Sequence, residues 1–136
     1  MKLKFRKILC PIDFDRISIP AIEMASEVAK QHGATIYLLC VVPKDRTSLK
    51  SDLEEVAHQS LLGVARKWFE RKIPYKILVR AGTPAKAVLD AEDELGIDLV
   101  VMATHGRTGV KRLRLGSVTE EVVRRSARPV MTIRPT

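Results

Sequence analysis

The sequence is poor in cysteine, and it has no long apolar run; each shortage excludes a class of protein. Its two cysteines, Cys10 and Cys40, are too few for a disulfide scaffold. Both lie inside apolar runs, so we expect reduced, buried thiols. With no Cys-x-x-Cys and no clustered histidines, they do not form a zinc site either. No apolar run approaches the roughly 20 residues that a membrane span needs, which excludes an integral membrane protein.

Aromatic residues are also scarce. They make up 4% of the chain, which leaves no stacking platform of the kind that single-strand nucleic-acid binders use. The basic start at residues 1–7 resembles a signal peptide. However, the apolar run behind it is broken at once by Pro11 and Asp13, so we expect a cytoplasmic protein.

What is present is enough for one globular domain over residues 1–136. Apolar residues make up 46% of the chain and charged residues 29%, a balance typical of a globular protein with its own core. Lys and Arg number 24 against 16 Asp and Glu, a net charge of +8 that favours anionic partners. Most of the excess falls in residues 107–134. No helix-turn-helix or RNA-recognition pattern accompanies it, so nucleic acid is disfavoured as the partner.

Apolar runs alternate along the chain with stretches of helical spacing. The runs predict five strands, at Lys7–Ile12, Thr35–Val42, Tyr75–Val79, Ile97–Met102 and Val130–Ile133. The spacing predicts four helices, at Ser18–His32, Leu49–Phe69, Pro84–Gly96 behind a Thr83 cap, and from Ser117 onward, with a polar loop at Lys44–Ser51. Strict alternation of strand and helix favours a single doubly wound α/β domain with a parallel sheet.

The loop after the fourth strand, residues 103–117, is the most informative segment. It is long, basic and glycine-bearing, and it ends at a helix N-terminus, a combination that suits phosphate groups. Ligands of open parallel sheets bind beyond the carboxyl ends of the strands, where this loop begins. It is neither a Walker A loop nor Gly-x-Gly-x-x-Gly. The segment from Ser117 to Glu120 has the pattern of a capping box, which explains both residues without a ligand. The remaining free N–H groups of the helix could still bind a ligand.

At this loop the sequence resembles the universal stress protein family. Gly106, nine further residues and Gly116-Ser117 match the family signature Gly-x2-Gly-x9-Gly-Ser/Thr, while Ala103 stands where the signature has its first glycine. The likeness runs along the whole chain, through residues 7–14, 81–84, 99–109 and 128–133.

The resemblance implies a Rossmann-like sheet of strand order 3-2-1-4-5, with the last strand, Val130–Ile133, pairing in a homodimer. It also implies ATP binding, with Mg²⁺ or Mn²⁺ on the phosphates. Asp13 and Val41 would hold the adenosine end, and the glycine loop would hold the ribose and phosphates. The expected nucleotide-binding residues are Pro11, Ile12, Asp13, Val41, Met102, Ala103, His105, Gly106, Arg107, Gly109, Gly116, Ser117 and Val118.

Two readings of Ala103 stay open at this point. Its methyl group obstructs close backbone approach if the residue needs a positive φ, and costs little if φ is negative. Ile12 is a milder departure, since many binding members have a small polar residue there, and Asp13 could brace its own loop without a ligand. The predicted function is a nucleotide-dependent stress-response regulator, at most a slow ATPase with no catalytic residue. The alternative is a dimeric interaction module of the same fold that binds no nucleotide.

Overall fold

Five strands and four helices alternate along the chain. The computed structural model describes residues 3–13, 17–44, 50–69, 71–104 and 116–134, leaving aside the side chains of residues 50 and 51. Within these ranges the elements are β1 (Lys7–Ile12), α1 (Ile19–His32), β2 (Thr35–Val42), α2 (Lys50–Trp68), β3 (Tyr75–Ala81), α3 (Pro84–Leu95), β4 (Leu99–Ala103), α4 (Ser117–Arg125) and β5 (Val130–Ile133). Each helix described there is too short or too polar to span a bilayer.

All five strands form one parallel sheet in the order β3-β2-β1-β4-β5. The chain moves outward from β1 through β2 to β3, and then crosses back to place β4 on the other side of β1. This arrangement confirms the predicted fold class and strand order, and it puts the two central strands, β1 and β4, at the point where the order reverses.

Helices cover both faces of the sheet because successive strand residues point to opposite sides. Ile8 and Cys10 face a core that contains the apolar sides of α1 and α2. Leu9 faces a second core, which contains Val88 of α3 and Val122 of α4. β1, β2 and β4 are therefore apolar along most of their length, whereas β3, at the edge of the sheet, contains Lys76 and Arg80.

The two cysteines lie inside this sheet. Cys10 and Cys40 are buried, reduced thiols, which confirms the expectation for both. Burial raises the pKa of the Cys10 thiol to about 12, so the thiol carries no charge at neutral pH.

The predicted helix ends are mostly confirmed. Ser18 caps α1, accepting a hydrogen bond from Ala21 N–H at 3.4 Å. Gly33 and Gly96 end α1 and α3 with φ of 65° each, a left-handed conformation that favours glycine. Thr83 stands at the cap position of α3, although in the described structure its side chain makes no capping bond.

Several predicted boundaries were wrong by one or two residues, among them the last residue of β4, which is Ala103 rather than Met102, and that of α2, which is Trp68 rather than Phe69. The helix α2 begins at Lys50, inside the polar loop expected at Lys44–Ser51. β3 continues to Ala81, two residues beyond Val79, and β4 starts at Leu99 rather than Ile97. The side chain of Asp98 explains the late start of β4, because it accepts hydrogen bonds from the backbone of Arg6 and Lys7 at 2.9 Å each.

Candidate functional site

β1 and β4 separate towards their carboxyl ends. β1 pairs with β2 at every position from Lys7↔Thr35 to Ile12↔Cys40. Both β1 and β4 are described in full, and their pairing covers two positions near the start of each strand, Ile8↔Leu99 and Leu9↔Val100. The last residues of the two strands therefore part, and they do so where the strand order reverses. This is the place at which open parallel sheets bind ligands.

The carboxyl ends of β1, β2 and β4 bring six of the expected residues to this edge. Asp13 directly follows β1 and is exposed, whereas Ile12 before it is 5% exposed and belongs to the core under α1 and α2. Half-buried Val41 and buried Met102 lie on the opposite face, in the core under α3 and α4. Pro11 and Ala103 are half-buried. The edge thus combines an exposed carboxylate with apolar surface, a mixture suited to the base and sugar of a nucleotide.

The N-terminus of α4 lacks the capping box that the sequence predicts. Gly116 occupies the cap position with φ −65° and ψ 161°, and in the described structure no side chain caps the helix. Ser117 becomes the first helical residue and is exposed, one position too late for its hydroxyl to act as the cap. Glu120 lies 3.8 Å from Arg124 instead of reaching back to the cap. The prediction of a capping box was therefore wrong, and the first-turn N–H groups keep their capacity to bind an anion.

A side-chain hydrogen bond joins this helix to the sheet. Thr119 Oγ1 donates to the carbonyl oxygen of Ala103 at 2.9 Å, and Thr119 is 4% exposed. Sequence reasoning missed this residue. The available signal was its position three residues before buried Val122, on the apolar side of α4.

Ala103 itself is the last residue of β4 and pairs with Ile133 of β5. Strand backbone has a negative φ. The first reading of Ala103, in which a positive φ makes its methyl group an obstruction, therefore does not apply to the observed conformation. A methyl group fits here without backbone strain.

Four expected residues, His105, Gly106, Arg107 and Gly109, lie outside the described residues. Of the other nine, Gly116, Ser117 and half-buried Val118 lie at the start of α4, and the remaining six lie at the carboxyl edge of the sheet. In those same ranges, no group of three His, Cys, Asp or Glu side chains lies close enough to hold a metal ion.

Sequence reasoning also missed a buried carboxyl group at the other end of α4. Glu92 of α3 is 1% exposed, and its Oε1 is hydrogen-bonded to Ser126 Oγ. Its Oε2 has no hydrogen-bond partner among the described side chains and backbone. Burial raises the pKa of Glu92, although the Ser126 hydrogen bond and the charge of Arg128 each lower it in part. The available signal was its place one turn after Val88, on the apolar side of α3.

The universal stress protein family model matches residues 4–134 of the chain. The chain belongs to this family. Among curated members, it is 31% identical to universal stress protein MJ0531 of Methanocaldococcus jannaschii, over 96% of this chain and 82% of that protein. It is also similar to universal stress protein YxiE of Bacillus subtilis, with 26% identity over 96% of this chain and 99% of that one.

Solved universal stress protein structures share the fold described above. The structure of protein MJ0577 from Methanocaldococcus jannaschii has a TM-score of 0.85 and 25% identity, covering 98% of this chain and 99% of its own. A universal stress protein in complex with cAMP has a TM-score of 0.76 and 21% identity, covering 98% of this chain and all of its own. At 21% identity, the likeness to the cAMP complex concerns the fold alone.

Proposed function

We propose that this universal stress protein binds ATP in the crevice between the carboxyl ends of β1 and β4, and acts as a nucleotide-dependent stress regulator in the cytoplasm. The observation that carries the proposal is the start of α4. Its first turn has no side-chain cap, and the Thr119–Ala103 hydrogen bond holds it at the end of β4. Donors fixed in this way bind phosphate without having to be ordered first.

The described residues suit the two ends of a nucleotide differently. Asp13 is exposed at the end of β1, where its carboxylate can accept a hydrogen bond from a ribose hydroxyl or an adenine amino group. Half-buried Val41 offers apolar surface for the base, and Met102 belongs to the core against which Val41 packs. Gly116, Ser117 and Val118 begin α4, whose backbone N–H groups would face the phosphates.

The proposal extends to His105, Gly106, Arg107 and Gly109, residues of the glycine loop, which in family members that bind ATP holds the ribose and phosphates. Mg²⁺ or Mn²⁺ would be bound by the phosphate oxygens. A solved member of the family is in complex with cAMP, an adenine nucleotide, and our proposal takes the same ligand class. Hydrolysis would be slow or absent, and occupancy would be signalled through a homodimer formed by β5.

Calorimetry of ATP with Mg²⁺ on the purified protein, freed of nucleotide, tests the proposal. We expect micromolar affinity in the wild type and loss of binding in Gly116→Val, because a branched side chain would stand over the first-turn N–H groups. The φ of −65° at Gly116 admits valine, so this variant should fold. Gly63→Val is the matched control, since Gly63 lies in α2 with no other group within 4 Å of an added Cβ.

A second pair of variants tests the adenosine end. Asp13→Ala should weaken binding, whereas Asp52→Ala, which removes a carboxylate from the first turn of α2, should leave it unchanged. Absence of binding in the wild type at millimolar ATP would overturn the proposal. The alternative, an interaction module without nucleotide, would then account for the chain.

A further inference from the structure

The positive charge of the described chain is not neutralised evenly. Ion pairs engage the cations of α3, α4 and the segment after it: Lys86 with Asp90, Arg124 with Glu120, Arg125 with Glu121, and Arg128 with Asp93, while Arg80 of β3 pairs with Glu94. The cations around the amino-terminal edge of β1, β2 and β3 form no such ion pairs within the described residues. We call eight of them the amino-edge patch: Lys4, Arg6, Lys30, Arg66, Lys67, Arg71, Lys72 and Lys76.

All eight side chains of the amino-edge patch are exposed, and none forms an ion pair with a described carboxylate. One acid, Asp98, lies at its border, where the carboxylate accepts the backbone N–H groups of Arg6 and Lys7. Glu70, the acid of the segment 66–76, lies outside the described residues. The patch is therefore strongly positive.

Backbone hydrogen bonds place the patch on one continuous surface. Thr35 N–H donates to Arg6 C=O and Ile36 N–H donates to Pro74 C=O, both at 2.9 Å, so the starts of β1, β2 and β3 form a row. The end of α1 joins this row, because His32 Nδ1 accepts the N–H of Phe5 at 3.0 Å. The end of α2 joins it through the rings of Phe69 and Tyr75, whose centroids are 5.9 Å apart.

Part of this charge has a local explanation. Lys30 lies in the last turn of α1, and Arg66 and Lys67 in the last turn of α2, where cations complement the helix dipole. The other five members lie outside the helices, and this explanation does not reach them. Lys and Arg without an ion pair, gathered on one edge, raise the local concentration of anionic partners.

An open depression of about 610 Å³ lies within the patch, on the α2–β3 side. It is lined by Arg66, Arg71, Ile73, Pro74 and Tyr75. Two guanidinium groups thus border an apolar floor. Guanidinium forks match carboxylates in geometry, and the floor has room for an apolar side chain.

We propose that the amino-edge patch docks an acidic segment of a partner protein, with an apolar side chain in the depression and neighbouring carboxylates on Arg66 and Arg71. A peptide fits better than a nucleic acid. The ends of α1 and α2 present carbonyl groups here, which can accept peptide N–H groups, donors that a sugar-phosphate backbone lacks. Trp68 and Tyr75 are half-buried, which leaves little ring surface on which bases could stack.

Fluorescence anisotropy with a labelled peptide of repeating Glu-Leu units tests the proposal. We expect saturable binding that weakens with added salt. Arg66→Gln/Arg71→Gln should weaken it at least about tenfold, since two charge-assisted contacts are lost. Arg124→Gln/Arg125→Gln on α4 is the matched control. It changes the net charge by the same amount and should keep affinity within about twofold, because surface charges away from the contact act weakly.

Three outcomes would overturn the proposal. The first is no binding of the peptide at low salt. The second is equal weakening in the two double variants, which would mean that net charge alone attracts the peptide. The third is tighter binding of a single-stranded oligonucleotide of the same net charge, which would make the partner a nucleic acid. Thermal melts followed by circular dichroism check that both variants fold.

The patch lies at the opposite end of the strands from the nucleotide crevice. The Arg66→Gln/Arg71→Gln variant should therefore bind ATP as the wild type does, and Gly116→Val should bind the peptide as the wild type does. Failure of one proposal is thus distinguishable from failure of the other.

Discussion

The hydroxyl of Thr119 donates a 2.9 Å hydrogen bond to the carbonyl oxygen of Ala103, and so ties the first turn of α4 to the end of β4. The bond lies beside the crevice where β1 and β4 part, and Thr119 is almost fully buried. Because a buried hydrogen bond between two regular elements allows little movement, it fixes where the N–H groups of α4 point.

Replacing Thr119 by valine keeps the shape of the side chain and removes the donor. We expect Thr119→Val to lower the free energy of unfolding by about 1–3 kcal/mol, because the Ala103 carbonyl loses its partner. ATP affinity should fall as well, because the helix start is no longer held in place. Urea unfolding and calorimetry measure the two effects. Thr119→Ser keeps the hydroxyl and should retain most of the affinity; equal losses in both variants would contradict a role for the hydrogen bond.

Ala103 stands where the family signature has glycine, and its strand conformation predicts the effect of restoring it. Ala103→Gly should leave ATP affinity within about twofold of the wild type, because no positive φ is relieved. It should cost about 0.5–1 kcal/mol of stability, since glycine loses more backbone freedom on folding. Calorimetry and urea unfolding check both numbers. ATP binding that appears only in the glycine variant would show that the methyl group closes the site.

Glu92 predicts a pH dependence of stability. Burial raises its native pKa above the unfolded value of about 4.3. Between these two values the folded chain binds more protons than the unfolded chain, so the Glu92 contribution to stability is lost as pH rises. Glu92→Gln removes that contribution, and the glutamine Oε1 can still accept the hydrogen bond from Ser126. The stability of the variant relative to the wild type should therefore grow as pH rises through this window.

Urea unfolding of both proteins across that pH range measures the difference. Glu23→Gln is the control, because Glu23 is exposed on α1 and forms no ion pair within the described residues. Its stability curve should stay parallel to that of the wild type. A Glu92→Gln curve that also stays parallel would show that Glu92 ionises normally.

The free edge of β5 carries the proposed dimer. The carbonyls of Pro129 and Ile133 accept hydrogen bonds from the N–H groups of Val100 and Thr104 on the β4 side. Alternation along the strand then turns the N–H of Thr132 outward. Thr132→Pro should therefore spare the β4–β5 pairing and remove a dimer hydrogen bond.

Light scattering after size exclusion measures the outcome. We expect the wild type and Thr132→Val at twice the chain mass of 15.2 kDa, and Thr132→Pro at the single chain mass. A wild type that elutes as a single chain would rule the dimer out.

The fold was predictable from sequence, because apolar runs and helix-ending glycines are local signals. The runs at Lys7–Ile12 and Thr35–Val42 match the observed strands residue for residue. For the candidate site, the sequence predicts which strand ends meet but not the local detail at the start of α4. The Ser117–Glu120 pattern has the composition of a capping box, yet the helix begins one residue earlier than the pattern requires, with Gly116 at the cap. Thr119 and Glu92 were missed because their roles depend on partners 16 and 34 residues away.

The pairing of β1 has a consequence for how this chain is made. One side of β1 meets β2 early, but the other meets Leu99 and Val100. During synthesis that second side stays without its partner until about three quarters of the chain has left the ribosome. A nascent chain therefore carries an open central strand edge, a surface that invites pairing with other chains. We expect stalled or truncated chains ending before Leu99 to depend on chaperones, whereas the finished chain does not.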